Sequence, residues 1–322
     1  LGESENKGLM SKPDNFLFHS YNLHKESSLT HTRFLFNSAK HLRLQAGKNR
    51  SVYEILNEDS RAVKARIVFH IHKEVATSPL RAPFGFLEIY KKISADELTV
   101  FFSLIETDLK NQGVKKINLK SYPEAYEENF KVVEEVLKKL HYTVASEVSS
   151  IIPVDNKPLE KKIKISERQK LRKAQQLFFF ERLNIAHLKE VYSFIADCRE
   201  ERNQRLSMSF SELKKTVAAF PKNFFLYRLR NESGTAAAAI VIKINKEILY
   251  TFYYAHARRF DRVSPVVLLI AEIYEWSQSQ NVEMIDLGTS MIDGKINHPL
   301  LHFKKSIGGQ SNRKLIFEKT LL

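Results

Sequence analysis

The chain repeats its own plan at a separation of about half its length, which restricts it to architectures built from two similar domains. Leu98 to Gln112 reads as a helix and leads into Gly113-Val-Lys-Lys-Ile-Asn-Leu119; Val266 to Gln280 reads as a helix and leads into Asn281-Val-Glu-Met-Ile-Asp-Leu287. The two helix–strand pairs lie 168 residues apart. A second echo sets Leu137-Lys-Lys-Leu140 against Phe303-Lys-Lys-Ser306 at a spacing of 166, each followed by a β-prone stretch, Tyr142 to Val154 and Lys314 to Thr320. A period this long exceeds any solenoid unit and suits a whole domain. The 322 residues accommodate two such domains, and the expected boundary gives 1–157 and 158–322, with the linker at Asp155 to Leu159.

Local signals define the elements. Ser94 and Glu97 have the spacing of a capping box, so a helix starts near Ala95. Ser264 as N-cap and Pro265 at the first helical position open the matching helix, whose Val266, Leu269, Ile273 and Trp276 share a face. Thr235 to Ile244 and Glu247 to Ala255 read as strands turning at Asn245-Lys246. Phe69 to Val75 reads as a strand, and Pro123 to Leu140 as a helix with Phe130, Val133, Val136, Leu137 and Leu140 inward. The fold class is therefore α/β (α+β), two domains each built on a mixed central sheet flanked by helices.

Composition narrows the partners. Lys and Arg number 51 against 37 Asp and Glu, a net charge of +14, which favours polyanions such as tRNA, nucleotide diphosphates, CoA or an anionic membrane face. No stretch reaches the ~20 apolar residues that span a bilayer, and Leu1-Gly-Glu-Ser-Glu-Asn-Lys7 is too polar for a signal peptide. The expected location is the cytoplasm, including the inner face of the membrane. The single cysteine, Cys198, has no nearby histidine and reads as structural. His70 and His72 share a strand face without further ligands, so no metal site is expected. Nothing matches a P-loop, a Gly-x-Ser-x-Gly elbow or a Cys-x-x-Cys pair.

The most telling segment runs from Tyr250 to Gly309. Tyr250-Thr-Phe-Tyr-Tyr-Ala-His256 is a strand, Ala257-Arg-Arg-Phe-Asp-Arg-Val263 a basic turn, and Ser264-Pro265 opens an apolar helix. Met284-Ile-Asp-Leu-Gly288 and Phe303-Lys-Lys-Ser-Ile-Gly-Gly309 complete it. This order resembles the acyl-carrying half of a GNAT-type acyltransferase, and the whole chain resembles the Fem-type branch, whose members join two such domains. The resemblance implies transfer of an acyl or aminoacyl group from an activated donor, acyl-CoA or aminoacyl-tRNA as co-substrate, to an amine acceptor between the domains, such as a cell-envelope precursor. It implies no tightly bound cofactor. The first domain would serve the acceptor and the second the donor.

The resemblance also selects residues. Arg258, Arg259, Arg262 and Ser264 fall in the turn that meets the carrier's phosphates at a helix N-terminus. Arg262 and Ser264 stand where the superfamily has small residues, which weighs against a tight CoA pyrophosphate cradle. Lys304 stands at the family's Phe-Lys position, beside Lys305 and ahead of a Gly pair that would let a carrier approach. It would hold phosphate or stabilise an oxyanion, and as an exposed lysine its loss would leave stability nearly unchanged. Asp286, Tyr254 and His256 are acid–base candidates, although Asp286 equally suits tethering the loop after its strand. Lys161 to Lys173, with seven basic residues in thirteen, resembles the Arg/Lys-rich start of a Fem-type second domain and could contact an RNA backbone. Arg81, Phe84 and Tyr122, in or facing the Ser78–Gly85 loop, are acceptor-side candidates. Two rival readings stay open: an ordinary acetyl-CoA-dependent GNAT enzyme, and a non-catalytic RNA- or nucleotide-binding module.

Overall fold

The computed structural model describes residues 16–23, 29, 31–45 and 49–321; the polar stretch Leu1–Lys7 lies outside them. In chain order they form β1 (Phe16–Asn22), α1 (Ala39–Leu44), β2 (Arg50–Asn57), β3 (Val63–His72), β4 (Val75–Ser78), β5 (Leu87–Ile89), α2 (Ala95–Asn111), β6 (Lys116–Pro123), α3 (Phe130–Lys139) and β7 (Thr143–Pro153). There follow α4 (Ile165–Leu177), β8 (Phe179–Leu183), α5 (Leu188–Glu200), α6 (Phe210–Ala219), β9 (Phe224–Asn231), β10 (Gly234–Lys243) and β11 (Ile248–His256). The chain ends with α7 (Val266–Ser279), β12 (Met284–Thr289), β13 (Met291–Ile292), β14 (Lys295–Ile296), α8 (His298–Ser306) and β15 (Gln310–Thr320).

The chain divides into two units. The first takes the residues up to Arg33, Gln45–Ser146 and Lys314 onward; the second takes Phe34–Leu44 and Glu147–Arg313. In the first, the strand order is β1-β2-β3-β4-β6-β15, with β5 also on β3. In the second it is β8-β9-β10-β11-β12-β7. Each order contains one parallel neighbour pair, β4 with β6 and β11 with β12, joined by a crossover through α2 or α7. Ile117 lies between Ala76 in parallel and Lys319 in antiparallel register; Ile285 lies between Leu249 and Ile152 in the same senses. The two segments that echo in sequence are thus equivalent central strands.

The division departs from the expected 157/158 boundary. The strand after α3 completes the second unit, and the strand after α8 completes the first, so the last strand of each repeat is given to the other copy. A linker read from Pro158 and a charged run does not reveal this, because strand partners are chosen by edge and register rather than by order along the chain.

Each unit has its own core. Phe101, Phe102, Ile105 and Leu109 of α2 pack with Val133, Val136 and Leu137 of α3 over β3 and β6. In the second unit, Val266–Ile270, Ile273 and Tyr274 of α7 bury against Val241, Leu249 and Ile285. Burying one such side chain contributes about 1.5–3 kcal/mol, so these helices are held by packing more than by propensity. The capping box forms as expected: Ser94 N–H donates to Glu97 Oε2 at 2.8 Å and Glu97 N–H to Ser94 Oγ at 3.1 Å.

Other boundaries move. The strand expected over Phe69–Val75 is cut by Lys73, whose φ of +52° turns the chain from β3 into β4. The helix expected from Pro123 starts only at Phe130, after a short 3-10 turn at Glu124–Tyr126. Ser264 makes no N-cap bond. Its φ is +53°, and α7 begins at Val266 after Pro265 with no side-chain cap.

Candidate functional site

In the second unit the ladder between β11 and β12 is short. It runs through Ile248↔Met284, Leu249↔Ile285 and Tyr250↔Asp286 and then ends, while Thr251–His256 continues along β10. Two features turn β12 away: a register shift between Asp286 and Thr289 against β7, and Gly288 at φ +75°. The result is an opened edge on β11, along which alternate backbone N–H and C=O groups no longer meet a strand. Arg199 Nη2 donates to one of its carbonyls, that of Tyr254, at 3.2 Å.

At the far end of β11 stands the basic turn. Phe260 O accepts from both Val263 N–H (3.0 Å) and Ser264 N–H (3.1 Å), so these two amides close the turn on itself. Ser264 takes the left-handed conformation that a glycine would adopt without cost. Arg258 and Arg262 are exposed, and among the described residues neither has an ion-pair partner. Arg259 is exposed too, but its Nη2 donates to Ser233 O and Thr235 O at 3.1 and 3.3 Å and its guanidinium lies over the Phe260 ring. The turn presents cations, two of them free to meet phosphate.

The acid–base candidates separate by environment. Burial pushes the Tyr254 phenol up to about 12, against the pull of Arg199, so it is protonated at neutral pH. His256 is shifted the other way: burial lowers its pKa, although Asp261 pulls it upward. Its Nε2 lies 2.8 Å from Asp261 Oδ1, and Arg202 Nη2 donates to the same oxygen at 2.9 Å. This His–Asp–Arg cluster was not apparent in the sequence, because Arg202 lies beyond α5 and nothing in its local pattern marks it. Asp286 is 1% exposed, and its Oδ1 accepts from Gly288 N–H at 2.7 Å, the loop-tethering geometry.

Lys304 is not the exposed ammonium that its sequence suggests. It is 1% exposed on α8, and its Nζ donates to Gly288 O at 2.9 Å and Thr289 O at 2.8 Å. Lys305 is exposed one position on. The glycines that follow also have local reasons. Gly308 has φ +91°, and a Cβ on Gly309 would lie 2.6 Å from Lys304 O.

The first unit has the same parallel pair, but its opening is filled from within. After the last pair, Ser78↔Leu119, Gly85 N–H donates to Lys120 O at 3.1 Å. Phe84 (2% exposed) packs against Tyr122 (1% exposed) and Tyr126, with ring centroids 6.1 and 5.3 Å away. Phe84 and Tyr122 are therefore interior packing and present no surface to an acceptor. Arg81 is exposed, its N–H donating to Gln45 Oε1. Among the described residues no group of three or more His, Cys, Asp or Glu could hold a metal ion, and no helix is long and apolar enough to cross a membrane.

Residues 164–303 match the family model of the acetyltransferase (GNAT) domain. That span contains the opened strand pair, the basic turn and α7. The chain is a GNAT acyltransferase with a Fem-like tandem fold. The crystal structure of FemX superposes with a TM-score of 0.66 at 13% identity, covering 89% of this chain and 92% of that one. A tandem GNAT protein from the clavulanic acid biosynthesis pathway gives 0.55 at 9% identity, covering 88% and 87%. The L-PGS of Bacillus licheniformis gives 0.55 at 11%, covering 79% and 80%. At these identities the likeness is one of fold. A search of curated protein sequences finds no match.

Proposed function

We propose that this GNAT acyltransferase is an N-acyltransferase whose second unit holds the activated donor, a CoA thioester or an aminoacyl-tRNA, and whose first unit serves the amine acceptor. One observation carries the reading: of the two equivalent strand openings, the second is open and ends in a cationic turn, while the first is closed by its own Gly85 and Phe84. Arg258 and Arg262 would meet the donor's phosphates through side chains, since the turn's own amides at Val263 and Ser264 are already used.

The chemistry then needs orientation and one proton acceptor. The acyl carbonyl lies along the free edge of β11, where backbone N–H groups supply oxyanion donors. The amine nitrogen attacks the carbonyl carbon, the tetrahedral intermediate collapses, and the thiol or tRNA hydroxyl leaves with the electron pair of the broken bond. His256 takes the proton from the attacking nitrogen. Neutral at neutral pH, it is oriented by Asp261, which Arg202 fixes in turn. Tyr254, protonated there, is suited only to donate.

The test is a thermal-shift series of the full chain with acetyl-CoA, with aminoacyl-tRNA and with uncharged tRNA, because a ligand of the native state raises the apparent midpoint by mass action. A shift with a charged donor supports the reading. A shift with uncharged tRNA equal to that with aminoacyl-tRNA, and none with acetyl-CoA, favours an RNA-binding module instead.

A further inference from the structure

Two opposite charges, each 1% exposed, hold the same short piece of backbone. Asp286 accepts the N–H of Gly288, and Lys304 donates to the carbonyls of Gly288 and Thr289. An unpaired charge in such a place costs several kcal/mol, and a leucine or methionine at 304 would fill the volume without that cost. What the two charges grip is the point where β12 leaves β11, one step past the last ladder pair Tyr250↔Asp286. Thr251 Oγ1 donates across that pair to Asp286 O at 3.0 Å, and the Tyr250 ring lies over Gly288, where a Cβ would meet it at 3.5 Å. Lys304 is itself held from behind: Gly309 N–H donates to Lys304 O at 2.8 Å.

We infer that Asp286 and Lys304 form a clamp that sets the width of the opening between β11 and β12, acting in the proposed acyl transfer as positioning residues. The inference rests on that reading of the opening as the donor site. It assigns the Phe-Lys lysine of this chain a different task from contact with the carrier: its ammonium is committed to two main-chain carbonyls of the strand that bounds the site. Carboxylate and ammonium act on consecutive peptide groups, so losing either frees the same turn.

The experiment uses the full chain with Lys304→Met, Lys304→Arg and Asp286→Asn, reading amide hydrogen exchange and acetyl-CoA affinity by calorimetry well below each variant's midpoint. Lys304→Met and Asp286→Asn should each speed exchange at Gly288 and Ser290 by about tenfold or more, with no change at Ile117 in the first unit. Both should weaken acetyl-CoA binding by about tenfold, and Lys304→Arg, which keeps the charge, should restore part of both losses. Should Lys304→Met fail to fold, Asp286→Asn and Lys304→Arg carry the same two readouts. Unchanged exchange at Gly288 and Ser290 overturns the clamp. Faster exchange there with unaltered acetyl-CoA affinity overturns its positioning role. If the wild type binds no acetyl-CoA, the CoA form of the donor reading fails, and the local exchange alone decides whether the clamp exists.

Discussion

Gly309→Ala gives the strictest test of the packing behind the site. An ideal Cβ at this position would lie 2.6 Å from the carbonyl oxygen of Lys304, 3.1 Å from its carbonyl carbon and 3.3 Å from the Ser150 Cβ. The oxygen has nowhere easy to go. It accepts the N–H of Gly309 itself at 2.8 Å, so a shift that relieves the methyl also strains that bond. Overpacking of this kind costs about 1–3 kcal/mol and a weakened hydrogen bond about 0.5–1.5 kcal/mol, together roughly 2–4 kcal/mol. For a domain of this size that lowers the midpoint by roughly 4–16 °C. Gly113→Ala is the comparison: nothing lies within 4 Å of its Cβ, and only its φ of +80° opposes the substitution, for about 1–2 kcal/mol. Thermal unfolding followed by circular dichroism measures both. A Gly309→Ala midpoint within a degree of wild type, or one no lower than that of Gly113→Ala, would refute the reasoning and return this glycine to the role of admitting a carrier.

Other outcomes follow from single groups. His41, buried between Phe36 and Phe220, has its pKa lowered by burial to about 4, against ~6.5 when unfolded. Its contribution is therefore complete above pH ~6.5 and is lost as pH falls towards 4, by roughly 3 kcal/mol; His41→Gln should flatten the dependence of midpoint on pH across that window, and parallel curves would count against it. Ser264→Gly relieves a left-handed serine and should raise the midpoint by about 2–4 °C, for roughly 1 kcal/mol, with no gain meaning that the turn is not strained. Arg258→Ala with Arg262→Ala should weaken donor binding and reduce its salt dependence, measured by titration at two ionic strengths. Arg259→Ala should instead lower stability, because that guanidinium ties the turn to Ser233 and Thr235.

What could be read from the sequence and what could not divide along physical lines. The repeat was legible because central strands and crossover helices are constrained by burial on several sides, and burial writes the same apolar pattern at Ile117 and Ile285. The capping box at Ser94 was legible because it is local chemistry. The exchange of last strands was not, since Glu147–Pro153 and Lys314–Thr320 have the same alternation whichever sheet they join. Lys304 misleads for a related reason: a lysine reads as surface until the carbonyls that receive it are known, and those lie 15 and 16 residues earlier on a strand end.

The asymmetry between the two copies was hidden most completely, and it is the one that assigns function. Pro79, Pro83 and Gly85 mark a turn in any chain, but they do not say that the turn folds back so that Gly85 N–H occupies Lys120 O. With that bond made and Phe84 and Tyr122 packed behind it, the first opening has neither edge nor volume left for a donor. The second opening lacks such a plug, and its neighbouring turn carries exposed arginines instead of prolines. A duplicated fold thereby supports two different tasks: the copy that fills its own cleft is free to specialise its surface, and the copy that leaves its cleft open must spend buried charge at Asp286 and Lys304 to hold that opening in shape.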